Sequence, residues 1–235
     1  KGVKYTSDKF AISDGPRDFM YLYAEHTGTG PDTPDPDKPD PDNPNPDPSN
    51  PDPTPPSETI VASGTCGDNL TWKLDDEGTL TISGKGAMTE WVNIDSAPWK
   101  TYSNTINKVV IQPGVTSIGK NAFSLCTNLE SITIPKSVTS IGWGAFQECG
   151  SLESITIPEG VTSIEWGAFQ GCSSLMSITI PEGVTSIGDS AFEDCRGLTS
   201  ISLPESVIKI GNYAFKSTAL TGKFVIPSGV TKIGD

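Results

Sequence analysis

The 235-residue chain has one histidine, His26, and three methionines, its Lys and Arg total only 16, and its mean hydropathy is −0.25. That histidine lies beside the Pro/Asp-rich stretch and outside the periodic part of the chain, so the periodic part has no place for a histidine-based triad or an HExxH zinc site. No run of 18 apolar residues is present, so the sequence shows no membrane-spanning helix, and membrane insertion is not expected. The 29 acidic residues outnumber the basic ones and give a net charge of −13, with no basic patch in any segment. Nucleic acid and anionic membrane surfaces are therefore poor candidates as partners. No initiator methionine or signal peptide is visible, so export is inferred from other features.

What is present in quantity is a strict beat. Cys126, Cys149, Cys172 and Cys195 fall 23 residues apart, as do Phe123, Phe146, Phe169, Phe192 and Phe215. A fixed period of this size predicts a solenoid, in which no repeat buries its own apolar face and stacked neighbours build one continuous core. Function in such a scaffold lies along the surface. Within a repeat, Leu129, Ile132 and Ile134 form a short strand closed by Pro135, which has no N–H for the ladder. Val138 and Ile141 mark a second extended segment. Gly142 and Gly144 then turn the chain into a short helical turn at Ala145-Phe146, before Cys149. The edge copies are looser: Thr218 replaces the cysteine, Leu220 arrives one residue early, and a partial sixth copy stops at Asp235. Such an open end calls for a longer chain or for self-association with a second copy.

Four segments follow. Residues 1–30 read as the last strands of an upstream β-domain or as a tail. Residues 31–57, with twelve prolines and seven aspartates, read as a disordered linker. At about 3.1 Å per residue in polyproline II they would reach about 80 Å. Alternating aspartates can suggest calcium, but the turn glycine and bidentate glutamate of an EF-hand loop are missing here. Residues 58–107 read as an N-terminal cap: Leu70, Trp72 and Leu74 alternate with polar residues, a turn follows at Asp75–Gly78, and Leu80 and Ile82 alternate again, which signals a hairpin. Trp91, Trp99 and Tyr102 finish its core. Cys66–Leu74 imitates half a repeat and so is expected to lie against the first true copy. Residues 108–235 are the repeats, five copies and a partial sixth. By segment the charge is zero over 1–30, −7 over 31–58, and −3 each over 59–107 and 108–235.

The pattern Leu-x-x-Ile-x-Ile-Pro-x-x-Val-x-x-Ile-x-x-x-Ala-Phe-x-x-Cys resembles the BspA-like subfamily of leucine-rich repeats, from about Ser63 to Asp235. The leader Gly64-Thr65-Cys66-Gly67-Asp68-Asn69-Leu70-Thr71-Trp72 and the run Gly78–Gly84 resemble that subfamily's N-terminal cap. The resemblance implies an α/β, β-rich solenoid, a right-handed superhelix carried by bacterial cell-surface or secreted proteins. Some members act as adhesins for host extracellular-matrix proteins. The motif residues are core residues, so none transfers as a functional site.

Five cysteines suggest disulfides, but four share one repeated position and would all point into the packed interior. Free buried thiols are the expectation; the row also lacks the paired Cys-x2-Cys spacing of structural zinc, so neither a metal nor a cofactor is expected. Enzymatic chemistry is not expected either. Glutamates at 130, 148, 153, 159, 165, 182 and 205 could pair in space, yet a single-row solenoid offers no deep cleft.

Two surface features remain as candidate ligand sites. Trp143 and Trp166 hold the same variable position in adjacent repeats, with Lys120 and Asp189 at the matching places on either side. Paired exposed indoles suit a protein hot spot or sugar stacking, and ordinary packing of both rings against neighbouring repeats stays open. On the outward face of the main sheet, Thr133, Thr156, Thr179 and Ser202 form one file and Ser131, Ser154, Ser177 and Ser200 another. These hydroxyl files also stabilise strands directly. The expected function is an extracellular binding module for a protein ligand, with glycan binding through the tryptophans, or a ligand-free spacer role, as alternatives.

Overall fold

The structure is a computed structural model and describes residues 59–221 and 223–235. The expectations for residues 1–30 and 31–57 lie outside the described residues. The strands are β1 (Ile60–Gly67), β2 (Leu70–Asp75), β3 (Thr79–Gly84), β4 (Gly86–Ala87), β5 (Lys108–Ile111), β6 (Val115–Ile118), β7 (Ser131–Thr133) and β8 (Ser140–Ile141). They continue as β9 (Ser154–Thr156), β10 (Ser163–Ile164), β11 (Ser177–Thr179), β12 (Ser186–Ile187), β13 (Ser200–Ser202), β14 (Lys209–Ile210) and β15 (Lys232–Ile233). The only helical element among the described residues is a single 3-10 turn, Lys100–Tyr102. This is a β-solenoid of about five coils.

Each coil contributes one strand to each of two parallel ladders. The first runs β3-β5-β7 and continues as β9-β11-β13; the second runs β4-β6-β8 and continues as β10-β12-β14-β15. Ser177 pairs with Ser154 and Ser200, and Ile187 with Ile164 and Ile210, so the register equals the repeat. That register follows from the sequence, since a one-residue slip would turn Ile155 and Ile178 out of the core.

Between the second strand of one coil and the first strand of the next, the spacing reads as a helical turn, and here the structure differs. The segment is a run of tight turns in which alternate N–H groups bond to the next coil, while those between them, on Ala145, Gln147 and Cys149, bond back three residues to Gly142, Gly144 and Phe146. Gly144, Phe146 and Glu148 donate to the carbonyls of Trp166, Ala168 and Gln170, at 2.9, 2.9 and 2.7 Å. Gly144 and Glu148 themselves have positive φ, 57° and 61°, which breaks any continuous helix. The same two places in neighbouring coils hold Asn121 and Leu125, Gly167 and Gly171, and Ser190 and Asp194, all with positive φ.

The interior is one continuous file. Trp99, Phe123, Phe146, Phe169, Phe192 and Phe215 stack with centroids 5.4–5.7 Å apart and planes within 19° of parallel. Trp99 opens the file, donating its Nε1–H to Ala122 O at 2.8 Å, and Trp72 and Trp91 meet it edge-on. The five cysteines are free and buried. Cys149, Cys172 and Cys195 each donate Sγ–H to the carbonyl of a phenylalanine one coil back, Phe123, Phe146 and Phe169, at 3.0–3.1 Å. The thiol is thus both a small apolar filler and a stitch between coils.

At the N-terminal side, β2 and β3 form an antiparallel hairpin closed at Gly78, whose φ is 85°, with Thr79 N bonded to Asp75 Oδ1 at 2.7 Å. It is β3 that lies parallel against β5. The expectation that Cys66–Leu74 stacks on the first repeat is therefore corrected: β2 sits one strand further out and β1 is the edge. Leu80 and Ile82 supply the fully buried pair that matches Val109 and Ile111, while the β2 residues pack behind them.

Candidate functional site

Lys120, Trp143, Trp166, Asp189, Asn212 and Asp235 occupy one position per coil, just after the second ladder. The residue before each is Gly119, Gly142, Glu165, Gly188, Gly211 and Gly234. Glycine is required there by the close approach of coils: a Cβ on Gly142 would come within 2.6 Å of Lys120 N, and one on Gly188 within 2.7 Å of Trp166 N. Glu165 is the single exception.

That exception organises the site. Glu165 Oε2 accepts from Trp143 Nε1 at 2.9 Å, and Glu165 Oε1 accepts from Ser163 Oγ at 2.6 Å. On the other side, Lys120 Nζ lies 4.8 Å from the Trp143 ring centroid and 2.8 Å from Glu90 Oε2. Trp143 is therefore fixed at its edge by a carboxylate and on its face by an ammonium, while 50% of it stays exposed. Trp166 is 45% exposed. Neither indole joins the ring contacts of the core, and they do not pair with each other.

Asp189 turns away from the tryptophans. Its Oδ1 accepts from Asn212 N at 2.8 Å and its Oδ2 from Asn212 Nδ2 at 3.5 Å. The structure thus brings Lys120 onto Trp143, leaves Trp166 beside them, and binds Asp189 to the following coil. Thr133, Thr156 and Thr179 are exposed, but they belong to the first ladder, a different segment of each coil. A further polar row crosses four coils: Gln147 Nε2 donates to Gln170 Oε1 at 2.7 Å, Gln170 Nε2 to Glu193 Oε2 at 2.9 Å, and Lys216 Nζ to Glu193 Oε1 at 2.7 Å. The Lys216 hydrogen bond holds the Glu193 carboxyl below the usual carboxylate range.

Sequence reading leaves Glu165 and Glu90 outside the site. For Glu165 the signal is the break in the glycine file, the one non-glycine among Gly119, Gly142, Gly188, Gly211 and Gly234. For Glu90 there is no signal, because its segment lies outside the beat. Replacing Glu165 with alanine is expected to loosen Trp143, lowering stability by no more than about 1 kcal/mol because the bond is exposed. Lower indole fluorescence anisotropy with a nearly unchanged urea midpoint checks this.

A model of the BspA type leucine rich repeat region matches residues 100–221 in six copies, just over half of the chain. The chain belongs to the BspA-type leucine-rich repeat family. Among solved structures, it is 35% identical to a leucine rich cell surface protein from Faecalibacterium prausnitzii, with a TM-score of 0.55 over 74% of this chain and 50% of that one. A leucine-rich repeat protein from Eubacterium ventriosum is 27% identical, with a TM-score of 0.52 over 74% and 62%. The leucine-rich repeat protein of T. pallidum is 27% identical, with a TM-score of 0.50 over 72% and 81%. This BspA-type chain thus spans half to under two thirds of the length of the first two. No curated protein matches it. BspA-type repeats are in general protein-binding scaffolds rather than enzymes. Among the described residues no helix is long and apolar enough to cross a membrane.

Proposed function

We propose that this chain is a bacterial cell-surface or secreted adhesion module that recognises a protein ligand through the outer surface of its solenoid. The observation that carries the reading is the Lys120, Trp143, Trp166 file: two half-exposed indoles in adjacent coils, one of them clamped by Glu165 and Lys120. Aromatic anchors that lose little side-chain freedom on binding are the usual energetic centres of protein interfaces. The rigid stacked core behind them keeps the file in register. The neighbour from Faecalibacterium prausnitzii, described as a cell surface protein, supports the location.

The test immobilises the full 235-residue chain and screens a panel of purified extracellular-matrix proteins and a glycan array side by side. A retained matrix protein, lost at least tenfold on combined Trp143→Ala and Trp166→Ala substitution, is the expected result; that loss is about 1.4 kcal/mol or more. Glycan retention lost by the same substitutions would move the assignment to carbohydrate binding. Retention of neither class would leave a spacer without a ligand.

A further inference from the structure

The outer surface of the coils twice receives one of the chain's own lysines in the same manner. Lys120 Nζ sits over the Trp143 ring and pairs with Glu90, while Lys216 Nζ sits 5.0 Å from the Tyr213 ring centroid and pairs with Glu193 at 2.7 Å. In both, an ammonium rests between an aromatic face and a carboxylate, combining the attraction of the ring quadrupole with an ion pair. Trp166 is the third exposed aromatic ring of the coils, and it has no such occupant. Among the described residues no lysine or arginine lies over it, and its Nε1–H has no acceptor.

The file itself explains the vacancy. The position one coil before Trp143 is Lys120, whereas the position one coil before Trp166 is Trp143. The carboxylate that receives the Trp143 N–H comes from Glu165, whereas the matching place one coil later is Gly188. The acid next to Trp166 in the chain is Glu165, whose carboxylate already accepts from Trp143 and Ser163 and keeps its negative charge, whereas Asp189 in the next coil is bound to Asn212.

We infer that the open face of Trp166, next to the Glu165 charge, receives an arginine or lysine side chain of the protein partner, completing from outside the arrangement that Lys120 and Lys216 complete from within. Arginine fits better than lysine, because its planar guanidinium stacks flat on an indole face and is more weakly hydrated than an ammonium. The cap and the repeats, each carrying a net charge of −3 over 59–107 and 108–235, favour a partner whose contact face is basic. This rests on the protein-binding reading and names the chemistry of its partner.

The full chain carrying 15N-labelled tryptophan indoles, titrated with acetyl-Gly-Arg-Gly-amide and with the same peptide bearing citrulline in place of arginine, tests it. Citrulline keeps the shape and removes the charge, and the indole resonance of Trp166, assigned by its absence in Trp166→Phe, reports this site rather than the acidic segment 31–58. The expected result is a Trp166 shift with about fivefold tighter binding of the arginine peptide, weakening with salt and falling about threefold in Glu165→Gln. Equal affinity for the two peptides, or a response confined to Trp143, would overturn the inference. So would an indole that answers only to glycans. A matrix protein retained undiminished by Trp166→Ala would preserve protein binding and remove this site from it. An arginine response without any retained matrix protein would keep the site and remove the adhesion reading.

Discussion

Phe169→Ala is expected to destabilise the solenoid by about 3–5 kcal/mol, the range for truncating a fully buried aromatic ring. Phe169 is fully buried, with Phe146 at 5.4 Å and Phe192 at 5.5 Å on its two faces, both nearly parallel to it. Its carbonyl accepts the Cys195 thiol and its N–H is bonded to Ala191. Removing the ring empties a space that no neighbour can enter, because the backbone of each coil is fixed by bonds to the next. Coils touch only their nearest neighbours, so the cavity also weakens the coupling between the two halves of the stack. The urea transition should move to lower concentration and become less steep, since the halves no longer unfold as one unit. Phe215→Ala serves as the internal comparison. That ring is only half-buried and meets Phe224 edge-on at 65°, so its loss should be less than half as large. Equal losses at the two positions would mean that the stacked file is not the continuous core described above.

The sequence makes the solenoid legible because every interior position is paced by the same 23 residues. Phenylalanine, cysteine and the isoleucine pairs announce both the register and the inward face. What it does not announce is where backbone donors go when no strand is formed. Phe146 N–H bonds forward to Ala168 instead of back along its own chain, and that choice is made by positive φ at Gly144 and Glu148; only one of these is a residue whose type advertises it. The order of strands in the N-terminal hairpin was equally hidden. Both β2 and β3 alternate apolar and polar residues, and only the parallel match of Leu80 and Ile82 to Val109 and Ile111 decides which lies against the repeats. At the candidate site the tryptophans are legible as departures from the beat. The clamp on Trp143 depends on two partners from different segments, Glu165 and Glu90, whose side-chain reach no spacing rule supplies.

Alkaline unfolding is expected to be abrupt, because the row of thiols resists ionisation only while the chain is folded. Burial pushes Cys66, Cys126 and Cys195 up from an ordinary value of 9.0 to about 12, and raises Cys149 and Cys172 well above it. In the unfolded chain the same thiols release their protons near pH 9. Between those limits the folded state binds more protons, so stability is intact below pH 9 and falls as pH rises toward 12. The slope is about 1.4 kcal/mol per pH unit for each thiol, or about 7 kcal/mol for the five together. Against a typical total of about 5–15 kcal/mol, one to two pH units above the thiol value suffice to unfold the domain. Circular dichroism and thiolate absorbance at about 240 nm should therefore change together in one transition near pH 10–11. Substituting Cys172 by alanine should make the transition shallower by about one fifth, while lowering stability at neutral pH through the lost thiol bond to the Phe146 carbonyl, which keeps the Cys149 N–H, and the small cavity left behind. A thiolate signal that rises near pH 9 with the fold intact would show that solvent reaches the row, and the coils would then not close around it as Phe123, Phe146 and Phe169 require.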